Sequence, residues 1–122
     1  TVPANAAVRQ FVPHGLVLQL AAVTVTPAGH GTVAASLANG VPLVALPNPA
    51  ADQPFLAAAV QRLGAGLALD GPSGPEAIRT AVNQVLKQPS YAEVASQLAI
   101  KIAAMPGAAG ASDELELLAR AS

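Results

Sequence analysis

The sequence has no cysteine and no tryptophan, and only one tyrosine, two phenylalanines and two histidines among its 122 residues. Without cysteine there is no disulfide, no thiolate metal site and no cysteine nucleophile. The same lack fits a reducing compartment, and a cytoplasmic location is expected. With His14 and His30 as the only histidines, a His-rich metal site is excluded too. Aromatics make up 2% of the chain, so little is there to stack on bases. The six basic residues, Arg9, Arg62, Arg79, Lys87, Lys101 and Arg120, are scattered, and the formal net charge is −1. No basic stripe results, which speaks against nucleic acid as a partner. No apolar run approaches the roughly 20 residues that span a bilayer. The opening TVPANAAVRQFVPHG has neither the charged nor the apolar region of a signal peptide. It starts at Thr1 and reads like the middle of a protein, so an N-terminally truncated fragment is expected.

What is present is mostly alanine, leucine and valine, within a hydrophobic share of 52%. The length suits one domain, residues 1–122, able to bury a core. Val8 to Val12 suits a short strand, ended by Pro13 and Gly15, and Leu16 to Ala22 a short helix. Ala22 to Thr26, AVTVT, is β-branched and predicts a buried strand. Pro27 holds Thr26 extended, as a strand end requires. Gly29-His30-Gly31 makes a turn, and Thr32 to Ala38 predicts a helix with Asn39-Gly40 as its C-terminal cap. Val41 to Leu46 is the next apolar strand. Asp52 to Leu63 predicts a helix, with Asp52 able to cap it and Pro54 tolerated in its first turn. Leu67 to Leu69 suits one more short strand.

The second half is helical. SGPE at Ser73–Glu76 and SYAE at Ser90–Glu93 match the capping-box pattern and start helices over 75–87 and 91–104. MPGAAGAS breaks the chain, and Ser112 or Asp113 starts a last helix through Ala119. Asp113, Glu114 and Glu116 then lie near its positive end. DGPSGP and MPGAAGA join helices rather than separate domains. Strand–helix alternation up to Leu69 predicts an α/β fold with a Rossmann-like parallel sheet and flanking helices.

Three stretches carry candidate chemistry. In AGHGT, a glycine turn follows a strand and opens a helix. Glycine lets the backbone approach a ligand, and a helix N-terminus offers free N–H groups to an anion. Thr32 adds a hydroxyl. The plain alternative is a turn with Thr32 as N-cap, and on the local pattern alone it leads, because glycine motifs are weak evidence. In ADQP, Ala51 to Pro54, Asp52 accepts hydrogen bonds and Gln53 both donates and accepts, which suits ligand hydroxyls. Here the plain alternative is a helix N-cap followed by proline. His14 stands after the first predicted strand, able to meet a ligand ring or simply to lie on the surface. No Ser–His–Asp set and no paired acid/base carboxylates are legible. All three stretches follow strands, on the end of a parallel sheet where ligands bind.

From Pro3 to about Ala119 the chain resembles the C-terminal donor-binding domain of bacterial nucleotide-sugar glycosyltransferases with the two-domain GT-B fold. The resemblance is to the macrolide and enediyne antibiotic-biosynthesis members of the UDP-glycosyltransferase-like family. It rests on FVPH, GHGTVAASLANGVPLVALP, ADQP, AAAVQRLGAG and PGAAGASDELELLA, in order across nearly the whole chain. The resemblance implies that Val12 and His14 lie beside the nucleotide base. It implies that the turn Gly29, His30, Gly31 and Thr32 cradles the diphosphate, and that Asp52 and Gln53 hold sugar hydroxyls. It further implies no metal and no cofactor besides a TDP- or UDP-sugar donor. The acceptor pocket and the catalytic base then belong to an N-terminal domain outside this chain. The segment is therefore expected to bind donor without transferring sugar alone, and its full-length form to glycosylate a small lipophilic acceptor.

The chain departs from that family's His-Gly-Gly-x-Gly-Thr pattern, because Pro27 and Ala28 occupy the first two positions. The histidine that donates to phosphate is lost, and proline lacks even an N–H. PNPAADQ is also one residue longer than usual between Pro47 and Asp52. The Pro27-Ala28 change is what favours the alternative function, a non-catalytic or degenerate, partner-binding protein of the same fold, and the longer stretch bears on where Asp52 stands.

Overall fold

Leu43, Val44 and Ala45 are fully or almost fully buried and form the central strand of the molecule. Strand side chains alternate between faces, and these three divide accordingly. Leu43 and Ala45 join one apolar cluster with Ala28, Val33, Ala57, Val60 and Ala65. Val44 joins the other with Ala81 and Val85. A sheet with a core on each side is what parallel strands require.

The computed structural model describes residues 1–49 and 52–121. A short helix α1 (His14–Val17) precedes strand β1 (Thr24–Thr26). Then follow α2 (His30–Ala38), β2 (Leu43–Ala45), α3 (Gln53–Leu63) and β3 (Gly66–Ala68). Helices α4 (Pro75–Lys87), α5 (Pro89–Ala103) and α6 (Gly107–Ala121) complete the chain. The three strands form one parallel sheet in the order β1-β2-β3. Thr24 pairs with Leu43, and Leu43 with Gly66. Residues of α2, α3 and α5 line the first core, and residues of α4 the second. The predicted Rossmann-like α/β fold is thus the fold observed. Among the described residues no helix is long and apolar enough to cross a membrane.

Ser36 of α2 is fully buried and locks that helix to the sheet. Its hydroxyl donates to the Val41 carbonyl oxygen at 3.2 Å. Its single proton is therefore spent, so the 2.6 Å contact with Thr24 Oγ1 has Thr24 as donor. At the β3 edge, Ala68 N–H points away from β2 and donates to Gln61 Oε1 at 2.7 Å. That contact occupies one donor of an edge strand.

Several element boundaries differ from the sequence reading, each for a local reason. Val8 to Val12 is not a strand; among the described residues it has no pairing partner, and Val8 and Phe11 are exposed. The first helix is His14–Val17 followed by a turn, not Leu16 to Ala22, because Pro13 starts it early. Neither predicted capping box forms. Pro75 and Pro89 take the first helical position, so Gly74 and Gln88 become the N-caps, without side-chain cap bonds. The last helix begins at Gly107, ahead of Ser112. Its first turn has no acidic residue, so Asp113, Glu114 and Glu116 do not serve its positive end. Glu116 instead lies 3.8 Å from Arg120, one turn on.

Candidate functional site

β1 ends at Thr26, and the chain must reverse within a few residues to start α2. Thr26 Oγ1 accepts the Ala28 N–H at 3.3 Å, and Ala28 takes a left-handed backbone with φ 73°. For alanine that conformation costs about 1–2 kcal/mol. The Ala28 methyl is completely buried in the first core, which holds it there. This is the position where the resembling family has glycine, so the turn keeps a glycine conformation without the glycine.

The helix itself starts at His30, with Gly29 as N-cap (φ −67°, ψ 149°). Thr32 therefore lies in the first turn and is not the cap. Gly29 has no side chain, so it offers the helix no cap hydrogen bond. The first N–H groups of α2, on His30, Gly31 and Thr32, have no carbonyl one turn back to bond. A Cβ added at Gly29 or Gly31 meets nothing within 4 Å. Neither packing nor backbone angle requires glycine at these two places; open space lies in front of both.

The loop after β2 supplies the second set of groups. Asp52 holds the N-cap position of α3 but makes no cap hydrogen bond. Its Oδ2 is engaged by Nε2 of His30, which joins the loop after β1 to the loop after β2. Gln53 Oε1 accepts the Asn48 N–H at 2.9 Å, which fixes the amide and leaves its NH2 as the free donor. Of the stretch between Pro47 and Asp52, where one extra residue is expected, Ala50 and Ala51 (the latter the first residue of ADQP) lie outside the described residues.

Four of the candidate residues line two of the cavities, and Gly29, His30, Gly31 and Asp52 line neither of them. Val12, His14 and Thr32 line one of about 310 Å³, together with Val25 of β1. Pro27 and Gln53 line a larger groove of about 680 Å³, with Leu46, Asn48, Asp70 and Pro72 among its other walls. The glycine turn lies in the chain between Pro27 of the groove and Thr32 of the smaller cavity. The glycine turn and the Asp-Gln pair thus stand after β1 and β2, whereas Val12 and His14, with no strand before them among the described residues, line a cavity that runs along β1 from Val23, so the three sets of candidates do not share a single cavity.

Sequence reasoning missed Asp70 and Pro72. DGPSGP read as a connector between helices, yet its first residues form a wall of the groove. The signal was available: Asp70 follows β3 as Pro27 follows β1 and Leu46 follows β2, and ligands bind at the carboxyl ends of parallel strands.

The family model described as "Erythromycin biosynthesis protein CIII-like, C-terminal domain" matches residues 1–118. Over 116 residues the chain is 36% identical to 4'-demethylrebeccamycin synthase of Lentzea aerocolonigenes, covering 94% of this chain and 27% of that protein. It is also 36% identical over 118 residues to 10-deoxymethynolide desosaminyltransferase of Streptomyces venezuelae, covering 96% of this chain and 28% of that protein. Among solved structures, the glycosyltransferase VinC in complex with dTDP superposes with a TM-score of 0.93 at 27% identity. That match covers 100% of this chain and 31% of VinC. The chain spans under a third of the length of the proteins it matches. Over that span it has the fold of the solved glycosyltransferase, in keeping with the expected C-terminal domain of a GT-B fold.

Proposed function

This chain belongs to the family of erythromycin biosynthesis protein CIII-like C-terminal domains, and on that premise we propose that it is the donor-binding part of a glycosyltransferase. The donor is a TDP- or UDP-sugar, and the acceptor a small lipophilic natural product. The observation that carries this reading is the meeting of His30 and Asp52. It brings a glycine turn with free helix N–H groups and an Asp-Gln pair to the carboxyl ends of adjacent parallel strands, the place where such sheets take their ligands.

In this reading the N–H groups of His30, Gly31 and Thr32 hold the diphosphate. They point along the axis of α2, whose dipole favours negative charge at that end. As the bond between sugar and diphosphate breaks, negative charge grows on the leaving phosphate. Donors already aimed at it stabilise that charge more than they stabilise the intact donor. The same field supplies what a metal ion would supply, so the proposal includes none. Val12 and His14 flank the base from the smaller cavity, and Asp52 and Gln53 take sugar hydroxyls. The groups that hold the acceptor and remove its proton are assigned to an N-terminal domain outside this chain. A cytoplasmic location belongs to the same proposal and fits the lack of cysteine.

Calorimetric titration with thymidine and uridine diphosphate tests it. Saturable binding of at least one, weakened by Gly31→Ala, is the expected result. No binding of either at millimolar concentration contradicts the reading.

A further inference from the structure

We propose that the side chain of His30, whose backbone N–H stays among the diphosphate donors, is a positioning group for sugar recognition rather than a phosphate ligand. Its Nε2 holds Oδ2 of Asp52 and so leaves Oδ1 as the acceptor for a donor hydroxyl. The inference rests on the donor-binding reading above and assigns within it a role to the variable residue of the glycine turn.

Four features of the site support it. First, the His30 side chain lies on Asp52, and among the described residues it is that carboxylate's one ion-pair partner. Second, Asp52 stands at the start of α3 without spending its carboxylate on the helix. An N-cap aspartate ordinarily accepts from the first-turn N–H groups. Here the side chain is directed by its neighbour across the loop instead. Third, both side chains are well exposed, at 71% and 51%, so the contact adds little to folding. A pair that contributes little to stability still selects one rotamer of Asp52 out of several. Fourth, the adjacent Gln53 is held in the same manner, its Oε1 accepting from Asn48 N–H. Each member of the Asp-Gln pair thus has one polar atom tied within the protein and one left for ligand. Asp52 presents an acceptor and Gln53 presents donors.

This division has a consequence that a phosphate role for His30 does not share. Removing the imidazole frees Asp52 to rotate but takes no donor from the diphosphate. The loss falls on the sugar alone. A glutamine at position 30 places an amide nitrogen near where Nε2 stands and restores the hold on Oδ2.

Affinities of the whole chain for thymidine diphosphate and for thymidine diphosphate-glucose, measured by calorimetry, test the proposal, with the uridine pair run alongside. Wild type is expected to bind the sugar nucleotide more tightly than the diphosphate. His30→Ala is expected to weaken the sugar nucleotide by roughly two- to fivefold, the range of an exposed ion pair, and to leave the diphosphate unchanged. His30→Gln is expected to restore the difference. Equal weakening of both ligands in His30→Ala places His30 on the phosphate and overturns the proposal. So does no change in either ligand, or a wild type that gains nothing from the sugar. Failure of the wild type to bind any of the four ligands overturns the donor-binding reading itself, and this inference with it.

Discussion

Gly66 lies against Leu43 in the parallel pairing of β2 and β3, so closely that a Cβ on residue 66 would overlap the Leu43 carbonyl oxygen and stand 2.8 Å from its carbon. Both groups are backbone, and neither can turn aside. Gly66→Ala is expected to cost about 3–5 kcal/mol, in the range of severe core overpacking. Urea unfolding measures it; a loss under about 1 kcal/mol would show that the strands can part without penalty.

Gly31 is the opposite case, with nothing within 4 Å of its would-be Cβ. It lies in the first turn of α2, where alanine is a better helix former by up to about 1 kcal/mol. Gly31→Ala is therefore expected to leave stability unchanged or raised while weakening diphosphate binding, because the methyl fills the space the phosphate needs. Thermal unfolding and calorimetry together read both effects. Unimpaired binding would show that the glycine serves no ligand.

Ser36 is fully buried and links Thr24 to the Val41 carbonyl. Ser36→Ala leaves that carbonyl and the Thr24 hydroxyl without their partner. The expected cost is about 1–3 kcal/mol, read as a lower urea midpoint. An unchanged midpoint would mean that water reaches both groups.

Gln53→Glu separates the two uses of that side chain. A carboxylate oxygen still accepts the Asn48 N–H, so the loop and the fold are expected to persist. The amide donors are gone, so a sugar nucleotide is expected to lose about five- to twentyfold in affinity while the bare diphosphate loses little. Equal losses for both ligands would place Gln53 away from the sugar.

Pro27 stands where the resembling family has a phosphate-donating histidine. Pro27→His restores a charge-assisted donor worth about 1.5–3 kcal/mol, or roughly ten- to a hundredfold in affinity. Ala28→Gly relieves the left-handed strain but removes a buried methyl, and these terms nearly cancel, so stability is expected to move by under about 1 kcal/mol. Tighter diphosphate binding by the double variant is the predicted outcome. Weaker binding would show that the loop holds its ligand by other groups.

The alternation of strands and helices was legible because AVTVT and VPLVAL are β-branched, apolar and closed by proline, features that local chemistry enforces. The placing of Gly29–Thr32 and Asp52–Gln53 after strands followed from the same alternation. The extent of α4, Pro75–Lys87, was legible, but its cap and the start of α5 were not, since Pro75 and Pro89 override the serines that a capping box would use. Val8 to Val12 carries strand propensity, yet a strand needs a partner that propensity does not supply. The left-handed Ala28 and the contact between His30 and Asp52 depend on tertiary closeness of loops far apart in the chain, which no local pattern encodes. Asp70 is not legible as a site residue from DGPSGP alone, because glycine, proline and serine mark a connector whatever its first residue faces.

The central claim is that the turn after β1 holds the diphosphate of a sugar donor. Amide shifts of the labelled chain on titration with thymidine or uridine diphosphate test it residue by residue. The account predicts the largest shifts at the N–H groups of His30, Gly31 and Thr32, with smaller ones near Val12 and His14. Shifts confined to other surfaces, or none at millimolar ligand, would contradict it.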